Sequence, residues 1–575
     1  MREFSFFHQE VVSFLQIGAP PSKLDEILEN YRHLIGEPSF IHLDQQWLSS
    51  FSQKEFAELQ LFDYFPKVYR GLPRLYNRHM PSQSKIKPNF TNLYALKRLT
   101  IDQALYSLYS GIDILENTRI SIVTWVIPDG LGDWSAAIET AKILREKWAK
   151  IQVDLLFVTP MNLPSSSEFA TTQIFYQNEP SLKDFPFDVL KSLRESDLIL
   201  QIPTFFPLTK QLLEKIQEMA STKVMPMMKN IGEYGALESS WFHPKSHNVS
   251  MGLHALEKGI FVYPTSKPNF AKLEQANLKT WLFGTTEPTP QDIQIYLERH
   301  NFHLAYLATP IGGAIYLHSL IKMHEKNVLD IDVCCPNLTW LSKWHEMQTP
   351  NHFLHESVKL RAVEIFTPEN RCMIKMQESG KVLRIFCPGP LSQTDMKNLF
   401  ALSHEWVAVR GNQSFSEAVS HNKTFFYDGR HHNKYFMKDL MALAQNHLVS
   451  NQSALDAFRW MKEAYLWNLQ EDTSEWIEEI SFQQMEKMDW FFISQHLGES
   501  LQDPETILGF HRVCERIKKE HSFHPFLTHL VQRALCFAKH PSIRQMEALQ
   551  MNLYLHGRAS FSTLVQRLTK EIAWT

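Results

Sequence analysis

The sequence predicts an α/β protein with two domains built on parallel sheets, flanked by helical regions at both ends. Short apolar strands alternate with amphipathic helices in two separate series, one starting near Ile120 and the other near His303. Before the first series and after the second, apolar residues recur at helical spacing instead. Alternating strands and helices are typical of βαβ units, whose strands form parallel sheets.

Size and composition fit a folded multidomain protein. The chain has 575 residues, of which 44% are hydrophobic and 12% aromatic, so large cores are expected and global disorder is not. Lys and Arg number 58 against 62 Asp and Glu, a formal net charge of -4, and no basic block indicates nucleic-acid binding. No apolar run reaches the roughly 18 residues of a membrane span. No secretory signal is visible, so a cytoplasmic protein is expected.

The first half of the chain divides into two predicted domains. Residues 1–118 form a helical domain, with segments such as SKLDEILENYRHLI that carry apolar residues on one face. Residues 119–300 form the first Rossmann-like domain, which starts with the buried strand ISIVTWVI. The helix DWSAAIETAKILREKW follows, and then the strands QVDLLFV, DLILQI and KVMPMM.

The second half repeats the pattern and then loses its strands. Residues 301–445 form the second Rossmann-like domain, with the strands LAYLA, DIDVCC, VLRIFC, WVAV and TFFY around helices such as AIYLHSLIKMHE. Residues 446–575 are predicted to be a helical region of amphipathic segments. No fixed repeat period is visible, which argues against a solenoid.

The loop Asp129-Gly130-Leu131-Gly132-Asp133 joins the first strand to its helix. The glycines allow a ligand to approach the backbone, and the helix N-terminus offers N–H groups to an anion. A carboxylate at Asp133 can take a proton from an acceptor. An N-cap role for Asp133 is the structural alternative. The third glycine of a dinucleotide fingerprint is missing, which disfavours NAD.

A second loop of this kind follows the strand WVAV. It has a glycine, a polar turn and then Ser-x-x-Glu, which is also the spacing of a capping box. In the functional interpretation, Ser414 and the amides of Gln413 and Ser414 hold a diphosphate, next to Gly411. Arg410 neutralises its charge, and Glu417 reaches a ribose. This pattern resembles the donor site of glycosyltransferases with the GT-B architecture.

A longer stretch, from Gly389 to Phe415, resembles the donor half of the bacterial protein-arginine rhamnosyltransferases that modify elongation factor P. That family carries Val-Arg-Gly-Glu-Asp-Ser-Phe at the second loop. Its first loop reads Asp-Asn-Phe-Gly-Asp, which Asp129, Gly132 and Asp133 match, and this element is also similar to that of heptosyltransferases. The resemblance covers about the middle 320 residues of the chain.

The resemblance implies a GT-B enzyme that transfers a hexosyl or deoxyhexosyl group from a nucleoside-diphosphate sugar with inversion. Asp133 takes the role of the base, with Asp129 as its companion in the loop. Tyr306 is the retained donor contact at the end of the second domain's first strand. Such enzymes need neither a metal nor a cofactor, because helix amides and an arginine stabilise the leaving group.

The sequence departs from the family at two places. Asn412-Gln413 replace Glu-Asp, and the segment from Tyr427 to His432 replaces Tyr-Pro-Gln, so rhamnose itself is not carried over. Contacts to the sugar, phosphate or acceptor are expected from Glu233 and from a cluster after the last strand. The members of that cluster are Arg430, His431 and His432.

Metal and redox chemistry are not expected. The chain has 26 His, but no Cys/His spacing matches a zinc pattern. Asp330-Ile331-Asp332 has the spacing of a metal motif but opens an apolar strand. The six Cys lack a C-x-x-C pair and are interpreted as reduced, mostly buried thiols, including the adjacent Cys334 and Cys335.

Two other functions remain open beside transfer to an acceptor. The expected acceptor is a protein, recognised with help from the helical flanks, as the resemblance to a protein-modifying bacterial family implies. Alternatively, Asn412-Gln413 mark a GT-B shell that has lost catalysis and binds a partner. A third possibility is a sugar-nucleotide epimerase on the same two-domain shell, which needs no acceptor.

Overall fold

The computed structural model describes residues 117–575 with some gaps, together with Leu105, Leu108 and Tyr109. The helical domain predicted for residues 1–118 therefore lies almost wholly outside the described residues. The gaps are residues 128–130, 164–167, 179, 203–207, 236–248, 254–256, 266–269, 271–272, 308, 337–359, 376, 430–432, 468–489, 556–558, 560 and 574–575.

The chain forms two compact units. Unit 1 contains the chain up to Gly259 together with Phe523–Thr575, and unit 2 is Ile260–Ser522. Each unit carries one mainly parallel sheet with helices around it, which confirms the predicted class of two Rossmann-like α/β bodies and, among the described residues, the helical region after the second sheet. The finer division at residues 118, 300 and 445 stays a prediction.

Unit 1 has a parallel six-stranded sheet in the order β3-β2-β1-β4-β5-β6. Its central strand β1 is almost fully buried along its length, which explains the unbroken apolar run in the sequence. The chain passes from β1 to β2 and β3 on one side, then returns to β4 on the other side of β1. The strands are β1 (Arg119–Trp125), β2 (Gln152–Thr159), β3 (Ala170–Phe175), β4 (Leu198–Gln201), β5 (Met227–Gly232) and β6 (Val249–Ser250).

Helices from both ends of unit 1 cover this sheet. They are α1 (Leu131–Lys147), α2 (Phe187–Arg194), α3 (Thr209–Glu218) and, from the end of the chain, α13 (Phe523–Lys539), α14 (Pro541–Leu555) and α15 (Phe561–Ala573). Helix α13 packs against α1, β4 and β5. Buried Tyr109, which precedes β1, donates a hydrogen bond to Glu547 at 2.5 Å, and Arg533 pairs with the same carboxylate. The end of the chain is therefore tied to the segment before β1.

Unit 2 has a five-stranded sheet in the order β10-β9-β11-β8-β7, extended beside β7 by the pair β12-β13. The extension runs through a parallel bridge between Ala305 and Ala408. All pairs are parallel except the β9-β10 hairpin. The strands are β7 (His300–Leu304), β8 (Asp330–Cys334), β9 (Leu360–Phe366), β10 (Arg371–Lys375), β11 (Lys381–Phe386), β12 (Trp406–Val409) and β13 (Thr424–Tyr427).

The helices of unit 2 begin at residues that suit a helix start. Thr289 and Thr309 are N-caps followed directly by a proline, and Ser392 caps a third helix. The helices are α4 (Ala276–Phe283), α5 (Pro290–Arg299), α6 (Pro310–Met323), α7 (Gln393–Leu402), α8 (Asn412–Ser420), α9 (Lys434–His447), α10 (Gln452–Trp467), α11 (Trp490–Leu501) and α12 (Pro504–Glu520). Helix α11 packs on α6, and α12 packs on α8 and β13.

Asp332 is a structural acid, as the strand-start interpretation of Asp330-Ile331-Asp332 predicted. Its carboxylate is fully buried and pairs with Arg384 at 2.7 Å, and Tyr296 donates a hydrogen bond to it at 2.6 Å. Burial raises the pKa of Asp332 to about 6, against the opposing charge of Arg384. The carboxylate is thus engaged by protein groups, and we assign it no part in metal binding.

Two further sequence predictions can be checked against the structure. All six cysteines are free thiols, and all except Cys372 are buried, as expected. Within the described part of the chain, no helix combines the length and the apolar character needed to cross a membrane.

Candidate functional site

The topology of unit 2 defines a crevice at the carboxyl ends of β7 and β12. The chain leaves β7 for β8 on one side and later returns to β12 on the other side. In open parallel sheets, ligands bind outside the strand ends at such a switch point. Tyr306 and Thr309 follow β7 here, and Arg410 and Gly411 follow β12. Asp428, directly after β13, lies at the same edge because its N–H group bonds the Val409 carbonyl at 2.8 Å.

Helix α8 presents its N-terminus to this crevice. It begins at Asn412 after Gly411, whose backbone is extended at φ -146° and ψ -172°. The first intrahelical bond runs from Phe415 N–H to the Gly411 carbonyl at 3.0 Å. The N–H groups of Asn412, Gln413 and Ser414 precede it and have no acceptor inside the helix. These amides, with the positive end of the helix dipole, form a site suited to an anion.

The Ser414 side chain shapes the turn. Its hydroxyl accepts hydrogen bonds from the amides of Arg410 at 3.1 Å and Gly411 at 3.3 Å. Ser414 is therefore the third residue of α8, and the capping box with Ser414 as N-cap was wrong. The physical reason is that Gly411 is already the N-cap residue, so the Ser414 hydroxyl bonds to the amides of the preceding loop instead. Its amide is the group it offers to a ligand.

Four predicted donor-binding residues lie at or near that N-terminus and differ in exposure. Arg410 is half-buried in the loop. Gln413 donates a hydrogen bond to the Glu417 carboxylate at 3.2 Å, and Glu417 is only 3% exposed. Glu417 consequently orients Gln413 and has little surface of its own for a ribose. Tyr306 is half-buried, and its N–H bonds the Ala408 carbonyl at 2.9 Å.

Asp428 covers the second helix N-terminus at the crevice, and the sequence did not single it out. Its buried carboxylate accepts hydrogen bonds from the amide and the hydroxyl of Thr309, both at 2.9 Å. Thr309 in turn caps α6 by accepting from Gly312 N–H at 2.9 Å. A Cβ atom on Gly312 would lie 2.3 Å from the Asp428 carboxylate. This acid already occupies the positive end of the α6 dipole, so α8 is the helix that remains for a ligand anion.

In unit 1, the first loop leads into α1, and Asp133 lies in its first turn. The helix starts two residues earlier, at Leu131, so the N-cap alternative for Asp133 was wrong. Asp133 is 9% exposed, whereas Gly132 is exposed with no atom within 4 Å of a Cβ built on it. Asp129 lies outside the described residues.

Tyr176 is a neighbour of Asp133 that the sequence did not indicate. It follows β3, and its hydroxyl accepts from Trp125 Nε1 at 3.0 Å and donates to the Val126 carbonyl at 3.2 Å. Burial raises the pKa of Tyr176, the Trp125 hydrogen bond opposes this, and the nearby Asp133 charge raises it further. Tyr176 is thus a neutral hydroxyl that fixes the end of β1 beside Asp133.

The remaining predicted residues are placed as follows. Glu233 follows β5, is half-buried, and its carbonyl accepts a hydrogen bond from Ser250 at 3.1 Å. Arg430, His431 and His432 lie outside the described residues. Within unit 2, the structure brings together Tyr306, Arg410, Gly411, Gln413, Ser414 and Glu417 at one sheet edge. Within unit 1, Gly132, Asp133 and Glu233 all follow carboxyl ends of parallel strands.

Comparison with known proteins gives weak similarity only. No protein-family model matches the chain, and no curated protein matches its sequence. Among solved structures, Acinetobacter baumannii MurG aligns at 9% identity and a TM-score of 0.29, covering 70% of this chain and 99% of that chain.

Two further solved structures are similar at the same low level. An alpha-glucosyltransferase in complex with UDP and a 13-mer DNA aligns at 9% identity and a TM-score of 0.36, covering 73% of this chain and 99% of that chain. The spinosyn rhamnosyltransferase SpnG complexed with thymidine diphosphate aligns at 8% identity and a TM-score of 0.32, covering 72% and 100%. Alignments at this level assign neither a family nor a substrate to this chain.

Proposed function

We propose that the protein is a glycosyltransferase that moves a sugar from a nucleoside-diphosphate sugar to an acceptor. The observation that carries this proposal is the α8 N-terminus at the switch point of unit 2, with Arg410 beside it. Asp428 occupies the neighbouring α6 N-terminus, so of the two helix N-termini only that of α8 remains for a ligand anion. A diphosphate matches it, since three first-turn amides and a guanidinium supply donors and positive charge.

The same groups explain how the leaving group is stabilised. When the bond between the anomeric carbon and the diphosphate oxygen breaks, the electron pair and the growing negative charge go to the diphosphate. Helix amides fixed by Ser414 and Gly411 are already oriented toward that position, so little reorganisation is needed during the reaction. In this proposal Gln413, held by Glu417, and Tyr306 orient the rest of the donor, and the transfer step uses neither a metal nor a cofactor.

In unit 1, Asp133 is proposed as the general base. It accepts the proton of the acceptor nucleophile while that atom attacks the anomeric carbon opposite the leaving diphosphate, which inverts the configuration. Asp133 lies in the first turn of α1, beside the fixed hydroxyl of Tyr176. The helix dipole interacts favourably with a carboxylate in that position.

The acceptor class and the sugar class rest on resemblance. We propose a protein acceptor, because the resembling family modifies a protein and because helices α10 to α15 add surface beyond the two sheets. The sugar is proposed to be a hexose or deoxyhexose. A partner-binding protein without transfer is the second candidate, favoured by Asn412-Gln413, which lack the carboxylates of the family motif at this turn.

A nucleotide-sugar panel tests the donor site. We expect one class among UDP-, GDP-, dTDP- and ADP-sugars to raise the thermal midpoint of the wild type, since a ligand of the folded state stabilises it. Arg410→Ala should weaken that binding about 10- to 100-fold, because a hydrogen bond to a charged group is worth roughly 1.5–3 kcal/mol. Arg459→Ala, which removes an exposed arginine of unit 2, is the control and should bind normally.

The outcomes of the panel separate the candidates. Binding without product formation would favour the partner-binding protein over the transferase. If no nucleotide sugar binds the wild type, or if Arg410→Ala binds as tightly as the wild type, the proposed donor site is wrong.

Gly132→Ala tests whether a ligand approaches the first loop. Open space surrounds the position, so the thermal midpoint should be unchanged or slightly higher, as expected for Gly to Ala in a helix. Transfer should nevertheless fall, since the added methyl group occupies space in front of the α1 N-terminus. Paired measurements of melting and initial rate check this. Full activity in a normally folded variant would show that no substrate comes close to Gly132.

A further inference from the structure

Three histidines converge in unit 2 at a place that the proposed transfer does not use. His303 lies in β7, His324 directly follows α6, and His404 follows α7. One ring nitrogen of each lies within 4.8 Å of the other two. His303 and His324 are buried, whereas His404 is exposed and opens the cluster to solvent.

The cluster contains none of the side chains assigned to the donor. Helix α6 has 14 residues and starts at the crevice, and His324 follows its last turn. At 1.5 Å per residue, the helix places His324 about 21 Å from its own N-terminus, whereas His303 lies three residues before Tyr306, or about 10 Å of extended chain. No local spacing in the sequence indicates this cluster, because its members come from three different elements.

Hydrogen bonding fixes the orientation of His303. Its Nδ1 lies 2.7 Å from the Trp406 carbonyl oxygen, which can only accept, so Nδ1 carries the proton. The Nε2 lone pair then faces His324 Nε2 at 2.9 Å. This is the second-sphere arrangement typical of a metal-binding histidine, with the far nitrogen held by a carbonyl. In a tetrahedral zinc site, two nitrogens roughly 2.0–2.1 Å from the ion are about 3.3 Å apart, so the two rings need to separate by only a few tenths of an ångström to bind one.

A zinc-class ion binds the neutral nitrogen of an imidazole, and His303 and His324 are buried away from water. The neighbouring cations Lys381 and Lys423 donate to backbone carbonyls of His324 and Ser403. Both lysines therefore bond to backbone carbonyls at the helix ends and not to the imidazole nitrogens of the cluster.

The charges around the cluster are mixed. Lys381 and Lys423 add positive charge. Glu405, the next residue after His404, adds negative charge and pairs with His511 at 2.8 Å. The cluster also adjoins the C-terminal ends of α6 and α7, where the helix dipoles favour a cation.

We propose that His303, His324 and His404 bind one transition-metal dication of the zinc class. Three neutral imidazoles suit zinc, cobalt, nickel or copper, and the exposed side of His404 leaves a further position for water. The ion ties β7 to the ends of α6 and α7 and thereby stabilises the framework that carries both helix N-termini of the crevice. This inference does not depend on the proposed transfer reaction.

The test uses the full chain after treatment with a chelator. Calorimetric titration with Zn²⁺ should show one tight ion in the wild type, and Co²⁺ should give a visible absorption band of imidazole-bound cobalt. His404→Ala removes an exposed ligand and should fold normally. It should weaken Zn²⁺ binding by more than the roughly 10- to 100-fold loss typical of an outer-sphere partner. His496→Ala, at another partly exposed histidine of unit 2, should bind Zn²⁺ as the wild type does.

Thermal stability gives a second, independent readout. Adding Zn²⁺ to the chelator-treated wild type should raise the melting midpoint of unit 2, and this rise should be lost in His404→Ala. If the wild type binds Zn²⁺ no more tightly than His404→Ala does, the metal site is refuted. His303 and His324 are then joined only by a hydrogen bond from one ring to the other.

Discussion

Asp133→Asn should lower the rate of sugar transfer about 10²- to 10⁴-fold, the usual contribution of a general base. The amide keeps the shape of the carboxylate but cannot take the proton of the acceptor. The donor is proposed to bind in unit 2 and Asp133 belongs to unit 1, so the affinity for the nucleotide sugar should stay within a factor of about two, or roughly 0.4 kcal/mol. Initial rates and calorimetric donor titrations measure the two effects separately.

A matched control is available in the same unit. Asp188 is also an acid in the first turn of a helix, α2, and it is exposed. Asp188→Asn removes the same favourable interaction with a helix dipole, worth roughly 0.3–1 kcal/mol, and should leave transfer unchanged. An Asp133→Asn enzyme with more than a tenth of wild-type activity would refute Asp133 as the base. Equal loss in both variants would indicate a defect of folding.

The pH profile provides a second check on the same assignment. If Asp133 must be ionised, transfer by the wild type falls as pH drops through the pKa of the base. That acid limb should be absent from the residual activity of Asp133→Asn. A merely structural role for Asp133 would lower the rate at every pH and keep the shape of the profile.

Much of the fold could be predicted because the central strands of both sheets are buried on both faces. Such strands give continuous apolar runs, as in β1 and β12. Strand β3 (ATTQIF) was missed, since it lies at the edge of its sheet, is largely exposed and has three consecutive polar residues. The antiparallel hairpin of β9 and β10 was missed too, and β10 (RCMIK) is again an exposed edge strand.

The helical end of the chain shows what periodicity leaves undetermined. Apolar spacing correctly indicated that each helix buries one face, but it carries no information on the partner of that face. In the structure, α10 to α12 belong to unit 2, while α13 to α15 return to unit 1. Contacts such as Phe510 stacked on Phe458, with ring centres 4.2 Å apart, determine this assignment and join residues distant in sequence.

The candidate site divides in the same way. The second loop could be predicted because its residues form one contiguous turn after a buried strand. The pairing of Asp428 with Thr309 could not, because the two residues are 119 positions apart. The histidine cluster has ligands at positions 303, 324 and 404, and only the tertiary fold brings them together. Of the pair Asp428 and Thr309, only Thr309 has a local sequence signal, since Thr309-Pro310 is an ordinary helix start.

Gly312→Ala should lower the free energy of unfolding of unit 2 by about 4 kcal/mol. Overpacking costs roughly 1–3 kcal/mol, and displacing Asp428 leaves Thr309 donors unpaired at roughly 1–3 kcal/mol more. The cause is the 2.3 Å approach of the new Cβ to the Asp428 carboxylate. The control is Gly132→Ala, at another first-turn helical glycine, where open space predicts no loss. Chemical denaturation of both variants measures the difference.

A double-mutant cycle identifies the source of the loss. In an Asp428→Ala background the carboxylate is gone, so adding the Gly312 methyl group should become neutral or slightly stabilising, as Gly to Ala in a helix normally is. The coupling between the two positions should then equal the whole loss of about 4 kcal/mol, above the roughly 0.5–3 kcal/mol usual for residues in contact. Additive effects would mean that the methyl group is accommodated elsewhere. Asp428 would then not be what closes the α6 N-terminus, and the reason for assigning the ligand anion to α8 alone would be lost.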